Sequence, residues 1–245
     1  MKKAFVLSGF LALAFFVGCA YDPGANTLPG KTVAPKAGST FTFKNVQIDT
    51  LGKTIDSSAY TSRDSIMEIG TTYSGKTNVT HLSSTDLKTG VKSDTYINYE
   101  TNGDVSIFTG GGGQSIFGGT FPNWLTLTVQ SHTTTTLKLI DTTISFLLGG
   151  VSLPVHIVAI DTQKYVNNGT ASVSGNTLPV INMSELIVAT FNAILLSSST
   201  TSITKIAFAP SIGYITDQRS EPTKGIFGTR ASNGSETTLI SYTLK

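Results

Sequence analysis

The chain has 245 residues, of which 39% are hydrophobic and only 13% are charged. The formal net charge is +2, and Lys2 and Lys3 account for it, so the remainder is electrically balanced. No cluster of Lys and Arg interleaved with aromatic residues occurs, so nucleic acid is not an expected partner. A low charge combined with abundant Ser and Thr favours strands over solvated helices.

Residues 1–18 have the composition of a signal peptide. The two lysines precede an apolar stretch that ends at Val17 and is too short to cross a bilayer stably. Gly18 and the only cysteine, Cys19, follow, so the exported chain has no disulfide. A core helix that buries Cys19 is the alternative interpretation, but an unbroken apolar run after a basic pair favours export and cleavage before Cys19.

The pair Gly18-Cys19 resembles the lipobox of bacterial lipoproteins, with Phe16 where leucine is usual. This resemblance implies a diacylglycerol thioether on Cys19, cleavage before it and acylation of the new amine. It also implies transfer to the outer membrane, because Ala20 rather than Asp follows the cysteine. The lone Asp22 is not an acidic export run, so the periplasmic face is preferred over the cell surface. The membrane is therefore an expected partner through the N-terminal lipid.

The segment 19–38 is rich in Pro and Gly and predicts a lipidated cysteine followed by a flexible tether. Residues 39–245 predict one all-β domain. Its first strand is indicated by Phe41 and Phe43, which alternate with polar residues. Further segments with strand composition lie at 59–69, 77–82, 94–100, 105–108, 124–129, 137–148, 155–166, 178–181, 203–208, 212–215 and 238–244.

Turn signals separate these segments. Asn102-Gly103 predicts a type I′ hairpin turn between 94–100 and 105–108, and Ser174-Gly175 predicts another turn. The glycine-rich stretch 110–119 lacks phosphate-binding spacing and predicts a flexible loop. The apolar segment 184–196 fits either a buried helix or a long strand, and its β-branched content favours the strand.

The predicted fold is therefore all-β. We expect a single antiparallel meander, strongly curved into a half-barrel or folded as a two-sheet sandwich, with at most one helix. A curved antiparallel sheet leaves a concave apolar face that needs a cover, either a helix, a second sheet or a ligand.

The sequence contains no recognisable catalytic constellation. His81, His132 and His156 are widely spaced, and no pair of them has metal-ligand spacing. No Gly-x-Ser-x-Gly elbow occurs, and most aspartates lie beside turns, where they accept backbone hydrogen bonds. We therefore expect no enzyme activity, no cofactor and no metal.

Aromatic residues recur along the predicted strands, and most of them must fill the core. Those placed to line a concave face are the candidate ligand-binding residues, Phe41, Phe43, Tyr96, Tyr99, Phe108 and Trp124.

The C-terminal segments 208–215 and 238–244 resemble the closing strands of uncharacterised half-barrel envelope lipoproteins, with an "apolar-Ala-x-x-apolar-Gly" strand before a "Leu-x-Ser-Tyr" strand. This resemblance implies binding of an apolar ligand, or of the apolar part of an envelope partner, on the curved sheet. The alternative is a structural or adhesive envelope protein that recognises glycan or protein through loops such as 110–119. An orphan hydrolase is the third hypothesis.

Overall fold

The structure is a computed structural model that describes residues 30–109, 123–148, 150–193, 197–224 and 231–245. It is all-β, as predicted, and no helix occurs in these ranges. The described strands are β1 (Thr40–Ile48), β2 (Thr54–Tyr73), β3 (Lys76–Asp86), β4 (Lys92–Tyr99), β5 (Val105–Phe108), β6 (Trp124–Leu127), β7 (Thr135–Leu148), β8 (Val151–Val173), β9 (Asn176–Ala193), β10 (Ser197–Ala209), β11 (Tyr214–Ser220), β12 (Thr223–Lys224), β13 (Ala231–Ser232) and β14 (Gly234–Thr243).

Twelve of these strands form one antiparallel sheet that does not close. Its order is β6-β5-β4-β3-β2-β1-β14-β11-β10-β9-β8-β7, and β12 and β13 form a separate pair. The sheet thus consists of two arms, one of β1 to β6 and the other of β7 to β11 with β14, which meet at the pairing of β1 with β14. The strands at the free ends of the two arms, β6 and β7, are joined by residues 128–134.

The sheet curls so that its two arms pack against each other. The main apolar core contains Ile97, Val105 and Leu127 from the first arm together with Met183 and Phe208 from the second. These strands are far apart in the sheet order, so only a strongly curved sheet brings their inner faces into contact. We call the side that carries this core the inner face and the opposite side the outer face.

A second apolar cluster extends the inner face along the longer strands of the second arm. It is built on Ile140, Ile157 and Phe191 from β7, β8 and β9, and Leu125 of β6 packs against it. Both clusters are therefore covered partly by strands of the opposite arm.

The hairpin predicted around Asn102-Gly103 is present, but its turn is not type I′. Only Gly103 has a positive φ, of 94°, whereas type I′ requires positive φ at both central residues. A side chain at Gly103 would also collide with Gln130, whose Cγ lies 2.6 Å from the Cβ position. Two-residue turns with positive φ at both positions occur instead at Ser74-Gly75 and at Ser174-Gly175.

The ambiguous segment is a strand where the structure describes it, because β9 continues to Ala193 and pairs with β8 and β10 on either side. The prediction of a strand there is confirmed. The signal peptide, Cys19 and the glycine-rich loop 110–119 lie outside the described residues. No membrane-spanning helix is found in the part of the chain that is described.

Residues 30–38, the described part of the predicted tether, lie against the domain. The backbone N–H of Val33 donates to Pro210 O at 2.9 Å, and Gln130 Nε2 donates to Gly30 O at 3.2 Å. A Cβ atom at Gly213 would lie 2.0 Å from Val33 O, so the close approach depends on glycine at that position. The docked segment 30–38 therefore fixes where the chain enters the domain.

We expect core packing, rather than surface apolar area, to determine stability. Leu239→Ala removes a side chain that is 2% exposed and should lower the free energy of unfolding by about 2–5 kcal/mol, since it leaves a cavity. Leu51→Ala is the matched control, because Leu51 is 81% exposed. Urea denaturation measures both. Equal losses for the two variants would contradict this description of the core.

Candidate functional site

The six aromatic residues predicted to bind a ligand do not share one surface. Alternation along the strands places Phe41, Phe43 and Tyr99 on the inner face, because they pack in or against the main core. The other three, Tyr96, Phe108 and Trp124, lie on the outer face, where their rings contact one another or a common ring. The structure therefore brings the candidates together as two separate groups of three.

The inner group belongs to the main core. Phe41 is fully buried and stacks on Tyr214 with ring centroids 4.4 Å apart, and Phe43 contacts the same ring at 5.8 Å. Tyr99 donates its hydroxyl to Gly213 O at 2.9 Å, and burial raises its pKa. Of the three, Phe43 lines the groove of the inner face that is described below, whereas Phe41 and Tyr99 do not.

The outer group forms a cluster with two further rings, those of Tyr73 and His81. Tyr73 stacks on Tyr96 with centroids 3.6 Å apart, and His81 stacks on the other side at 4.9 Å. Phe108 meets Trp124 edge-on at 5.3 Å. We call these five residues the outer aromatic cluster. Each ring uses much of its surface on its neighbours, which is the packing expected of a small local core.

The tip of the β2–β3 hairpin covers the outer aromatic cluster. Three irregularities interrupt the pairing of β2 with β3 on the way to this tip, and such irregularities bend a strand locally. Trp124 Nε1 donates to Ser74 O at 3.0 Å, and Lys76 forms an ion pair with Glu100 while its ammonium lies 5.6 Å from the Trp124 ring. These contacts occupy the polar groups around the cluster.

A groove opens on the inner face where β1, β2 and β3 approach β11 and β14, and we call it the inner groove. It has a volume of about 510 Å³, within the range of about 300–1,000 Å³ that is usual for small-molecule sites. Its lining residues are Phe43, Asn45, Tyr60, Ser62, Asp64, Ser84, Asp86, Thr89, Val91, Ser93, Tyr214, Ile215, Gln218 and Thr237. A neighbouring apolar hollow between the two arms measures only about 70 Å³.

Hydrogen bonds hold several groove residues in place. Tyr214 donates its hydroxyl to Asp64 Oδ2 at 2.7 Å, and burial, followed by the Asp64 charge, raises the pKa of Tyr214. Asn45 Nδ2 donates to Ser62 Oγ at 2.9 Å, while Thr237 donates to Asn45 Oδ1 at the same distance. These three bonds hold the side chains of five lining residues in defined positions relative to one another.

The carboxylate of Asp86 closes the turn beside the groove. Its Oδ1 accepts from the backbone N–H groups of Lys88 and Thr89 at 2.7 and 3.1 Å. These bonds lower the pKa of Asp86, with the larger effect from Thr89 and the next largest from Lys88. Asp86 therefore remains ionised at neutral pH.

A pair of acidic residues lies on the inner face between the two apolar clusters. Asp161 is 1% exposed, and its Oδ2 accepts from Gln163 Nε2 at 3.0 Å, while its Oδ1 has no partner among the described residues. Gln163 accepts in turn from the backbone N–H of Thr128 at 3.3 Å, which links the two arms of the sheet. Glu185 is paired with Gln163 across β8 and β9.

Burial shifts the acid–base behaviour of this pair. Desolvation, with a further contribution from the Asp161 charge, raises the pKa of Glu185 to about 7. Desolvation also raises the pKa of Asp161. The pair therefore favours holding a proton at neutral pH rather than two negative charges.

The three histidines stand apart. His81 contacts Asp94 at 3.1 Å, His156 contacts Asp141 at 2.8 Å, and His132 packs on the ring of Tyr165. None of them lines the inner groove. Within the described ranges, no group of three or more His, Cys, Asp or Glu side chains could hold a metal ion.

Comparison of the chain with protein-family models, with curated proteins and with solved structures found no match.

Sequence reasoning missed most of the inner groove. Tyr60, Ser62 and Asp64 alternate along β2 and face inward, but their polarity indicates an outer face when read from sequence alone. Gln218 and Thr237 reach the groove only because β11 pairs with β14. A cross-strand pairing of segments distant in sequence leaves no signal in the sequence of either strand.

Glu185 should make the protein less stable as the pH rises. Its pKa is 4.5 in an unfolded chain and about 7 in the fold, so the native state binds more protons in this interval. The contribution of Glu185 to the free energy of unfolding is fully present below pH 4.5 and falls by up to about 3 kcal/mol toward pH 8. Glu185→Gln should flatten the decline, as measured by urea denaturation across this range. The same substitution at the exposed Glu68 is the control, and an unchanged slope in Glu185→Gln would refute the assignment.

Proposed function

We propose that the chain is a lipid-anchored protein of the cell envelope that binds a ligand in the inner groove without catalysing a reaction. The observation that carries this proposal is the groove itself, a preformed opening of about 510 Å³ on the inner face of the curved sheet. Hydrogen bonds among Asn45, Ser62 and Thr237 and between Tyr214 and Asp64 fix its surface in advance. Preorganisation of this kind reduces the entropic cost of binding.

The sizes of the two openings favour a ligand with polar groups over a purely apolar one. The apolar hollow between the arms, about 70 Å³, is too small for a lipid chain or a drug-sized molecule. The curvature of the sheet has already covered most of the apolar inner face with its own opposite arm. The inner groove, which remains open, combines a few apolar side chains, such as Phe43 and Ile215, with side chains that carry hydroxyl, amide and carboxylate groups.

The placement in the envelope rests on the sequence. The leader and Gly18-Cys19 support export and lipid attachment, with the outer membrane and its periplasmic face as the expected location. The docked segment 30–38 is compatible with such an anchor, because its hydrogen bonds fix the point at which the chain enters the domain. The membrane, through the lipid, is thus one partner, and the occupant of the groove is the other.

A non-catalytic role is supported by the lining of the groove. It contains no histidine, lysine or arginine, and of its two carboxylates Asp86 has a pKa lowered by its turn, so it is poorly suited to be the general acid of a carboxylate pair. Tyr214 occupies one Asp64 oxygen, and the turn occupies one Asp86 oxygen. An orphan hydrolase therefore remains the least favoured of the three functions.

A structural or adhesive role is the second candidate, because the outer aromatic cluster gathers five rings on the outer face. Two observations make this cluster the weaker candidate for binding. Its rings are half-buried rather than exposed, and most of their faces are taken by one another. The Trp124 N–H, which would otherwise be available to a partner, is bonded to Ser74. The inner groove, whose surface is open, is thus the better candidate for binding.

Cys19→Ser should release the protein from the membrane. Without the thiol no thioether forms, and the two or three acyl chains that anchor a lipoprotein stably are lost. Fractionation and detergent partitioning of the wild type and the variant measure the change, and labelling with radioactive palmitate reports the lipid directly. If Cys19→Ser stayed in the membrane fraction with unchanged mass, the anchor would be disproved.

Ser84→Trp should abolish binding in the inner groove, since Ser84 lines it and an indole ring would fill it. Ser83→Trp is the matched control, because the adjacent side chain points to the outer face opposite Asp94. Native mass spectrometry of the full chain, purified from envelopes in a detergent without a sugar headgroup, measures any added mass. Added mass in the wild type and in Ser83→Trp that is lost in Ser84→Trp supports the proposal. Bare protein in all three would refute it.

A further inference from the structure

The charge of the inner groove restricts its ligand. Asp64 and Asp86 line it, and no lysine, arginine or histidine does. An anionic ligand would meet like charges without a compensating cation, which is unfavourable inside a partly desolvated site. Phosphate, sulfate and carboxylate groups are therefore poorly suited to this groove, and an uncharged polar molecule is well suited.

The free hydrogen-bonding capacity of the groove points to a ligand rich in hydroxyl groups. The side-chain amide of Gln218 and the hydroxyls of Ser84 and Ser93 make no hydrogen bond to other described residues. Asp64 uses one oxygen for Tyr214 and keeps the other for a ligand. An amide supplies both a donor and acceptors, and a carboxylate accepts strongly, so each of these groups pairs well with hydroxyl groups of a ligand.

The groove also provides an aromatic surface at its rim. Tyr60 is 42% exposed, whereas Phe43 and Tyr214 contribute apolar surface at the floor. A pyranose ring has apolar C–H faces and a hydroxylated edge. It therefore matches a site in which an accessible ring lies beside amide and carboxylate groups.

From these three features we propose that the inner groove binds a segment of an uncharged oligosaccharide, with one sugar ring against Tyr60 and hydroxyls of this or neighbouring sugar units hydrogen-bonded to Gln218 and Asp64. This inference rests on the proposed function, because it names the ligand class of the same groove. It differs from recognition through the loop 110–119, since the contacts lie on strands of the sheet.

The test uses the purified full chain in a detergent without a sugar headgroup. The probes are uncharged hexasaccharides of glucose, mannose and N-acetylglucosamine, with hexagalacturonate as the anionic comparison and hexadecanol, which carries no charge, as the apolar one. Titration calorimetry should detect at least one uncharged hexasaccharide, with hexagalacturonate bound at least about tenfold more weakly. Tyr60→Ala and Gln218→Ala should each reduce the affinity about tenfold, equivalent to the loss of one good contact.

Asp94→Asn is the control for the carboxylate, because Asp94 lies on the outer face beside His81. Asp64→Asn should weaken sugar binding, whereas Asp94→Asn should leave it unchanged. Equal affinity of all variants for the sugar would overturn the assignment of the contacts, and preferred binding of hexagalacturonate would overturn the charge argument.

The two proposals fail in different ways. If no uncharged hexasaccharide binds but hexadecanol does, and Ser84→Trp abolishes that binding while Ser83→Trp preserves it, the groove is a binding site and the sugar assignment is wrong. If no probe binds and native mass spectrometry detects only bare protein, both proposals are wrong.

Discussion

The short connection between β6 and β7 is the constraint on which the rest of the structure depends. A flat sheet of twelve strands would place its two edges about 50 Å apart, at about 4.8 Å between neighbouring strands. The chain from Leu127 to Thr135 can extend only about 28 Å. The sheet must therefore curl until its first and last strands approach each other. The hydrogen bond from Thr128 to Gln163 joins the two arms where they meet.

This curvature decides which inner surface is available. Where the arms touch, their side chains interdigitate into the main core, and Val105 and Phe208 lose nearly all contact with solvent. Near the pairing of β1 with β14 the inner wall carries smaller polar side chains, so it is not sealed, and the inner groove remains. The same curvature buries Asp161 and partly buries Glu185 between two apolar clusters, so stability becomes sensitive to pH.

The fold was predictable from the sequence because local chemistry determines most of it. Alternating Phe41 and Phe43 and the β-branched content of 184–193 indicated strands, and the structure has them. The division of the aromatic candidates between two faces was not predictable. Alternation assigns Tyr96 and Tyr99 to opposite faces of β4, but which face becomes the core depends on the pairing of distant strands. The groove-lining Gln218 and Thr237 depend on such pairing even more directly.

The docked segment 30–38 has a consequence for how the protein would sample its surroundings. With the lipid on Cys19 as proposed, the covalent path to Gly30 has a contour of at most about 38 Å. Gly30, where the chain enters the domain, could then lie no more than this contour length away from the lipid headgroups, whatever the orientation of the domain. Its encounters would be confined to a thin layer next to the bilayer, where the local concentration of membrane-attached or wall-attached molecules far exceeds their bulk average. In that layer, a modest affinity of the inner groove for such a molecule would be enough for binding.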